Sequence, residues 1–231
     1  MVAKQKFARV AYRSPDGWLQ RLLGWTLALG VTVLILIGLF RSMVFSNWFH
    51  VFEHRRLGTV QQAPQVAPLS IIGHLQAYFR SDGLGLMEYP LFSYRERMHY
   101  REVKRLLQIT QTVWGWTTLA SMSLALGLVC IARGTPQSLL RLTAFTLQRC
   151  AILLVGVVLL FSLLALRFDS HFVYFHFIVF KTRYWLLPPY ATTVQLFPTR
   201  YFLDFLLTYT ALVASVAMLS WALAHRTRRG V

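Results

Sequence analysis

The chain has 231 residues, of which 56% are hydrophobic and 14% charged, and its formal net charge at pH 7 is +16. Four apolar runs are long enough to cross a bilayer, which excludes an ordinary soluble domain. The positive charge alone would suit nucleic-acid binding. Because the basic residues flank the apolar runs instead of forming one stripe, attraction to anionic membrane lipids explains them more simply, and no nucleic-acid partner is expected.

The four runs cover about 22–40, 111–131, 151–166 and 205–223. A backbone in lipid must satisfy its own hydrogen bonds, so each run is predicted to be a helix. The sequence therefore predicts an all-α membrane protein, a four-helix transmembrane bundle that forms a single integral membrane domain over residues 1–231.

Basic residues also predict the orientation of the bundle. Of the 24 Lys and Arg residues, eleven lie in three short segments: before the first run, between the second and third, and after the fourth. The positive-inside rule assigns these segments to the cytoplasm, so both termini are expected inside. The longer segments 41–105 and 167–203 are then expected to form a small extracytoplasmic head.

The first outer segment is far longer than a connection between two helices needs to be, which indicates that it folds. Residues 59–68 contain Gln, Ala and two prolines and are typical of an extended linker. Residues 69–79 are predicted to form a short interfacial helix. The spacing of Ser93 and Glu96 predicts a capping box at the start of the helix that leads into the second span.

The second outer segment is dense in aromatic residues. Its stretch 171–180 is rich in aromatic and β-branched side chains, which favours an extended or interfacial piece. Pro188 and Pro189 forbid a continuous helix from there to the fourth span. We therefore expect this segment to fold back over the bundle.

His99 and His176 are the candidate catalytic residues, because both are predicted just outside the membrane on the same side. Glu102 follows His99 at i,i+3 on the predicted helix, where its carboxylate can accept a hydrogen bond from one ring nitrogen and orient the other. The alternative is that Glu102 pairs with a neighbouring cation such as Arg101 or Arg105 and that the histidines are interfacial surface residues.

A metal site is a further interpretation of His99, His171 and His176. The last two are five residues apart, which suits neither the i,i+4 ligand pair of a helix nor one face of a strand. No nucleophile elbow, phosphate-binding loop, His-Glu-x-x-His or Cys-x-x-Cys motif occurs in the sequence. We therefore expect neither a metal nor another cofactor.

Two stretches resemble the bacterial lipoprotein intramolecular transacylase (Lit) family. Residues 93–106, Ser-Tyr-Arg-Glu-Arg-Met-His-Tyr-Arg-Glu-Val-Lys-Arg-Leu, are similar to its "SxxExxHMxDVKxL" pattern. Residues 175–180, together with Trp185, Pro189 and 196–202, are similar to its "FHxxFF…W…P…LFPxxFF" pattern. Both stretches fall in order, with the four apolar runs placed as in that family.

The resemblance implies a four-helix bundle in the bacterial cytoplasmic membrane with an active site on the extracytoplasmic face. It also implies the reaction: the sn-2 acyl chain of a diacylated lipoprotein moves to the α-amine of the same lipidated cysteine, which gives the lyso form. The family's catalytic histidines fall on His99 and His176. Glu102 stands where the family usually has Asp, and the acidic residues that the family carries between its Trp and LFP are absent between Trp185 and Leu196.

Such a transfer replaces an ester with a more stable amide, so it demands neither ATP nor a metal. We expect His99, oriented by Glu102, to be the general base toward the amine, and His176 to stabilise the oxyanion or protonate the leaving oxygen; the two roles can also be exchanged. Trp185 ends an aromatic wall that would exclude water. Arg183 is expected to bind lipid phosphate or substrate carbonyls, the alternative being a snorkelling arginine.

Two other classes of function compete with an acyltransferase. A non-catalytic membrane scaffold or partner-binding subunit would need neither histidine. A lipid hydrolase would use the same pair of histidines with water as the acyl acceptor. The distance between the two imidazole rings separates the first class from the others, and analysis of the lipid product separates the second.

Overall fold

The structure, a computed structural model, describes residues 17–59, 68–83, 90–131 and 135–229. Within these ranges the chain forms eight helices and no strand. In chain order the helices are α1 (Gly17–Phe45), α2 (Asn47–Arg56), α3 (Pro68–Arg80), α4 (Tyr94–Ile131), α5 (Pro136–Leu166), α6 (Phe168–Val179), α7 (Thr192–Leu196) and α8 (Thr199–Arg229).

Four of these helices, α1, α4, α5 and α8, are long and apolar enough to cross a membrane. Each contains one of the four predicted runs, so the predicted all-α membrane bundle is confirmed. The helices have 29 to 38 residues, whereas about 20 suffice to cross the hydrocarbon core. Their terminal turns therefore extend beyond the apolar region, as the first turns of α4 do with their dense charges between Arg95 and Arg105.

The bundle is held by close contacts among its long helices. The α5 and α8 helices pack along much of their length, while α1 packs against α4 and α5. Gly24 permits the approach of α1 to α5, because a Cβ atom there would lie 2.4 Å from a ring carbon of Phe145. A buried cluster that includes Met43, Leu154 and Val213 fills the space where α1, α5 and α8 meet.

We call α2, α3, α6, α7 and the first turns of α4 and α8 the head; these elements lie at one end of the bundle. Polar contacts join α2 to α8. The Tyr201 hydroxyl donates to His50 Nδ1, since the other ring nitrogen of His50 donates to a backbone carbonyl. Arg56 bridges Glu53 and Asp204, with an Arg56 Nη2 to Glu53 Oε1 distance of 2.6 Å.

The structure agrees with one expectation about the head and corrects another. The short helix expected over 69–79 is α3, whereas most of the predicted linker 59–68 lies outside the described residues. The stretch 171–180 is not extended, since α6 covers it almost to its end. Aromatic pairs at i,i+4 stabilise this helix: Phe172 lies 5.6 Å from Phe168 and 4.3 Å from His176 between ring centroids.

Candidate active site

The first turn of α4 fixes the position of His99. The Ser93 backbone N–H donates to Glu96 Oε2 at 2.8 Å, and the Glu96 N–H donates to Ser93 Oγ at 3.4 Å. This reciprocal pair is the predicted capping box, which satisfies backbone donors that a helix start leaves free. His99 therefore stands on a well-defined helix close to the head end of the bundle.

His176 is held on α6 by its own backbone. Its Nδ1 lies 2.7 Å from the Phe172 carbonyl oxygen. Because a carbonyl oxygen only accepts, Nδ1 carries the proton, and in the neutral ring Nε2 keeps its lone pair. The bond to the Phe172 carbonyl thus fixes the His176 ring and leaves Nε2 able to accept a proton.

The structure brings the two predicted histidines together. Their ring centroids are 6.0 Å apart and their planes are inclined by 36°. The two histidines are 77 residues apart in the sequence, on α4 and α6, and only 9% of His99 and 8% of His176 is exposed. Phe180 packs against both, with centroids 4.9 Å from His99 and 5.3 Å from His176.

Burial among aromatic side chains also sets the charge of the pair. Burial, together with the smaller effect of the neighbouring His176, lowers the pKa of His99 to about 4. Burial likewise lowers the pKa of His176, although the hydrogen bond to Phe172 opposes this. Both groups lie outside the apolar part of the bundle, and both rings are neutral near pH 7.

Glu102 makes a different contact from the expected one. Its Oε1 accepts a hydrogen bond from Thr182 Oγ1 at 2.9 Å, and no hydrogen bond joins it to His99. Within the described residues, Glu102 Oε2 and His99 Nδ1 are both buried without a hydrogen-bond partner. The alternative ion pair with Arg101 or Arg105 is not formed there either. The carboxylate instead anchors the loop that follows α6.

Trp185 and Arg183 lie on that same loop at different distances from the pair. The Trp185 ring centroid is 5.0 Å from His176 and 4.9 Å from Phe177, so the indole covers one side of the imidazole. The side chain of Arg183 is exposed, while its backbone carbonyl accepts a hydrogen bond from Arg95 Nη2 at 2.9 Å. Trp185 thus contacts His176, and Arg183 lies at the rim.

Sequence reasoning missed a further tether between α4 and this part of the chain. Glu96, only 2% exposed, accepts hydrogen bonds at Oε1 from the Thr193 backbone N–H at 2.7 Å and from Thr193 Oγ1 at 2.9 Å. Thr192 Oγ1 donates to the Leu91 carbonyl at 2.9 Å. The capping spacing predicted the bond of Glu96 within its own helix turn. No sequence pattern indicated that Thr193, 97 residues later, would be a second partner.

His171, the third histidine of the metal interpretation, has a separate contact. Its Nδ1 donates to the Leu164 carbonyl at 2.9 Å, which ties α6 back to the end of α5. Among the residues that the structure describes, no group of three His, Cys, Asp or Glu side chains is arranged to hold a metal ion.

Comparison with known proteins connects this geometry to a reaction. The family model described as "Lipoprotein intramolecular transacylase Lit" matches residues 25–202. The membrane-integral lipoprotein intramolecular transacylase Lit from Bacillus cereus has a similar fold, with a TM-score of 0.78 and 19% identity over 93% of this chain and 98% of that one. A variant of it with one histidine changed to arginine gives a TM-score of 0.72 and 18% identity over 93% and 94%. None of the curated protein sequences matches this chain.

Proposed function

The chain belongs to the lipoprotein intramolecular transacylase family and is an acyltransferase of the membrane, and from that premise we propose that His99 and His176 are its catalytic pair. The substrate is a diacylated lipoprotein. Its α-amine nitrogen attacks the carbonyl carbon of the sn-2 ester, a C–N bond forms, the C–O bond to the glyceryl oxygen breaks, and one proton moves from nitrogen to that oxygen. The observation that carries the proposal is the 6.0 Å separation of the two buried rings.

The hydrogen bond of His176 supports an exchange of the roles expected from the sequence. His176 has its Nδ1 proton on the Phe172 carbonyl, so its Nε2 can accept the amine proton and later return it to the glyceryl oxygen. His99, neutral because of its burial, then donates an N–H to the oxyanion that develops on the ester carbonyl. One histidine moves the proton and the other stabilises charge.

The surrounding aromatic residues would supply the second requirement, which is exclusion of water. An amine and an ester of the same molecule react readily once they are held together in a dry site, whereas water would turn the transfer into hydrolysis. Phe180 and Trp185 cover the imidazoles on two sides. Arg183, exposed at the rim, is positioned to bind a substrate carbonyl or phosphate.

We further propose that the head lies outside the bacterial cytoplasmic membrane and that both termini lie in the cytoplasm. The distribution of basic residues supports this orientation, since the short segments at the end of the bundle away from the head carry the higher positive density. Membrane lipids are then the immediate neighbours of the exposed apolar side chains on α1, α4, α5 and α8.

Replacing His176 with alanine is expected to lower the rate of lyso-form production by about 10²- to 10⁴-fold, because the proton acceptor is lost. The product has the same mass as the substrate. The assay must therefore follow loss of the free α-amine by amine labelling and locate the amide-linked acyl chain by tandem mass spectrometry. His99→Ala is expected to lose a similar factor, with partial recovery in His99→Gln, whose amide can still donate.

His171→Ala is the matched control, because it removes a histidine from the same helix α6 without touching the pair. It should retain nearly the full rate. Full conversion by His176→Ala would contradict the catalytic assignment and favour the scaffold. A product lighter by one acyl group, formed by the unaltered protein, would show that water is the acceptor and that the hydrolase interpretation is correct.

A further inference from the structure

Three arginines meet at the end of the bundle opposite the head. Arg21 comes from the start of α1, Arg149 from α5 and Arg228 from the end of α8. Arg228 donates to Gln148, the neighbour of Arg149 on α5, and Arg149 lies over Trp25, one turn after Arg21 on α1. The guanidinium of Arg149 is therefore within electrostatic reach of the other two. We call these three arginines the arginine cluster.

The polar contacts around the cluster are neutral. Arg228 Nη2 donates to the amide oxygen Oε1 of Gln148, and Arg149 Nη1 donates to the Phe145 backbone carbonyl at 3.4 Å. Arg149 Nε is buried and has no hydrogen-bond partner among the described residues. These contacts position the guanidinium groups but leave their charge unbalanced.

Acidic residues lie elsewhere. The chain has eight Asp and Glu residues against 24 Lys and Arg. Every one that the structure describes belongs to the head end: Glu53, Asp82, Glu96, Glu102, Asp169 and Asp204. In the segments that flank the opposite end, the sequence has only Asp16, which lies outside the described residues, against eleven basic residues. Within the described ranges, no acidic side chain at this end of the bundle balances the charge of the arginine cluster, so an external anion would be stabilised there.

The neighbouring surface indicates which anion fits. Trp25 lies beneath Arg149, with the guanidinium carbon 4.8 Å from the ring centroid, and 40% of this indole is exposed. Tryptophan with one polar and one apolar side is typical of the headgroup level of a membrane. Leu22 and Leu29 on the same helix are each 54% exposed, so an apolar surface continues from the cluster into the bilayer.

From this arrangement we propose that the arginine cluster is a binding site for the phosphate headgroup of an anionic phospholipid, whose acyl chains lie against the apolar surface of α1. Guanidinium groups bind phosphate oxygens with paired hydrogen bonds, and a phosphodiester would relieve the repulsion among the three cations. The site lies at the other end of the bundle from the imidazole pair, so it is independent of the proposed catalytic roles.

The test is thermal unfolding of the full chain in a neutral detergent, followed by tryptophan fluorescence, with phosphatidylglycerol, phosphatidylcholine or inorganic phosphate added. A ligand that binds only the folded state raises Tm. Phosphatidylglycerol is expected to raise Tm of the unaltered protein by several degrees more than phosphatidylcholine does. Arg149→Gln and Arg228→Gln should each lose at least half of that difference.

Matched controls remove one positive charge close by without touching the cluster. The controls are Arg141→Gln, two turns before Arg149 on α5, and Arg226→Gln, two residues before Arg228 on α8. Both arginine side chains are exposed. Both variants should keep the full response. Equal shifts with the two lipids, equal losses in controls and cluster variants, or a full shift with inorganic phosphate alone would each overturn the proposal. Should Arg149→Gln fail to fold, the exposed Arg228 and its control decide the outcome.

Discussion

His99 and Glu102 stand one turn apart on α4, and each has a buried polar atom without a partner in the described part of the chain: Nδ1 of the imidazole and Oε2 of the carboxylate. An unsatisfied buried polar group costs about 1–3 kcal/mol. A neutral imidazole has a single N–H, and His99 uses it for the oxyanion, so Nδ1 does not also donate to Glu102. We infer that Glu102 is a positioning residue, whose carboxylate anchors Thr182 and thereby the loop that covers the imidazole pair.

Replacing Glu102 with alanine is expected to lower kcat by about 10- to 100-fold, since a hydrogen bond to a charged group contributes about 1.5–3 kcal/mol. This loss is smaller than that of His99→Ala. Thr182→Val is the matched variant, because it removes the bond to Glu102 together with the bond that Thr182 Oγ1 accepts from the Tyr184 backbone N–H at 3.3 Å. It should lose a similar factor in steady-state assays, and a full rate in Thr182→Val would contradict positioning through the loop.

The pH dependence of the rate reports the neutral state of the pair. Burial lowers the pKa of both histidines, and that of His99 reaches about 4, so acidification from pH 8 to pH 5 leaves His99 unprotonated. The α-amine of the substrate, with an ordinary pKa near 8, must lose its proton before it attacks. We expect log kcat/KM to rise with pH up to about 8 with a single break. A second break near pH 6.5 would indicate ordinary histidines.

At the residue scale the sequence predicted the pair but not its surroundings. The motifs point to His99 and His176, because the residues that flank each of them form a pattern along the chain. The bond between Glu102 and Thr182 spans 80 residues, and spacing along one helix contains no information about a partner on a distant loop. The prediction therefore assigned Glu102 to its helical neighbour.

Among the elements, the segment after α6 is held to α4 by hydrogen bonds from both sides. Arg95 donates to the Arg183 carbonyl, Glu102 accepts from Thr182, and Glu96 accepts from Thr193. The bonds bring the indole of the loop and the ring of His176 to the face of α4 that carries His99. Local signals cannot predict such a tether, whereas the start of α4 was predictable because both capping residues lie within one turn.

Glu96→Ala is expected to destabilise the head and to reduce the rate, because three donors lose one buried acceptor residue. Thr193→Ala should cost less, about 1.5–3 kcal/mol, since the backbone N–H of Thr193 keeps its bond. Thermal unfolding and limited proteolysis after Lys181 or Arg183 measure the loosening. Equal protease resistance of both variants and the unaltered protein would show that the tether does not hold this segment.

Secondary structure of α6 shows how a local preference can be overridden. Aromatic and β-branched residues favour strands in general, and that preference led to the expectation of an extended or interfacial piece, of which the extended form is wrong. In the structure the rings at i,i+4 pack against each other at a tilt along one side of the helix. This interaction depends on the spacing of the aromatic residues along the chain. Composition records only their number, so it could not predict the helix.

Across the whole molecule, stability depends on how closely the long helices approach. Gly24→Ala is expected to lower Tm, because overpacking against Phe145 costs about 1–3 kcal/mol and outweighs the gain in helix propensity of about 1 kcal/mol. Gly38→Ala on the same helix meets no described atom within 4 Å and should raise Tm slightly. Thermal unfolding of both variants in the same detergent measures the two changes in Tm. A higher Tm for Gly24→Ala would contradict the close packing of α1 on α5.

The fold class was predictable because a bilayer imposes the same requirement on every span, and the four apolar runs satisfy it independently of one another. The pairing of α5 with α8 and of α1 with α4 and α5 was not predictable. Packing partners are chosen by surface shape, such as the gap at Gly24, and apolar runs of similar composition do not differ in hydropathy enough to reveal it.

The α4 helix runs without a break for 38 residues, about 57 Å at 1.5 Å per residue, and carries His99 near one end and a membrane span at the other. A rigid rod of this kind tilts when the hydrocarbon thickness changes. Its upper end then moves relative to the plane in which lipid esters lie. Longer or shorter lipid chains in the host membrane would thereby change the distance between His99 and the ester plane, and with it the rate of the reaction.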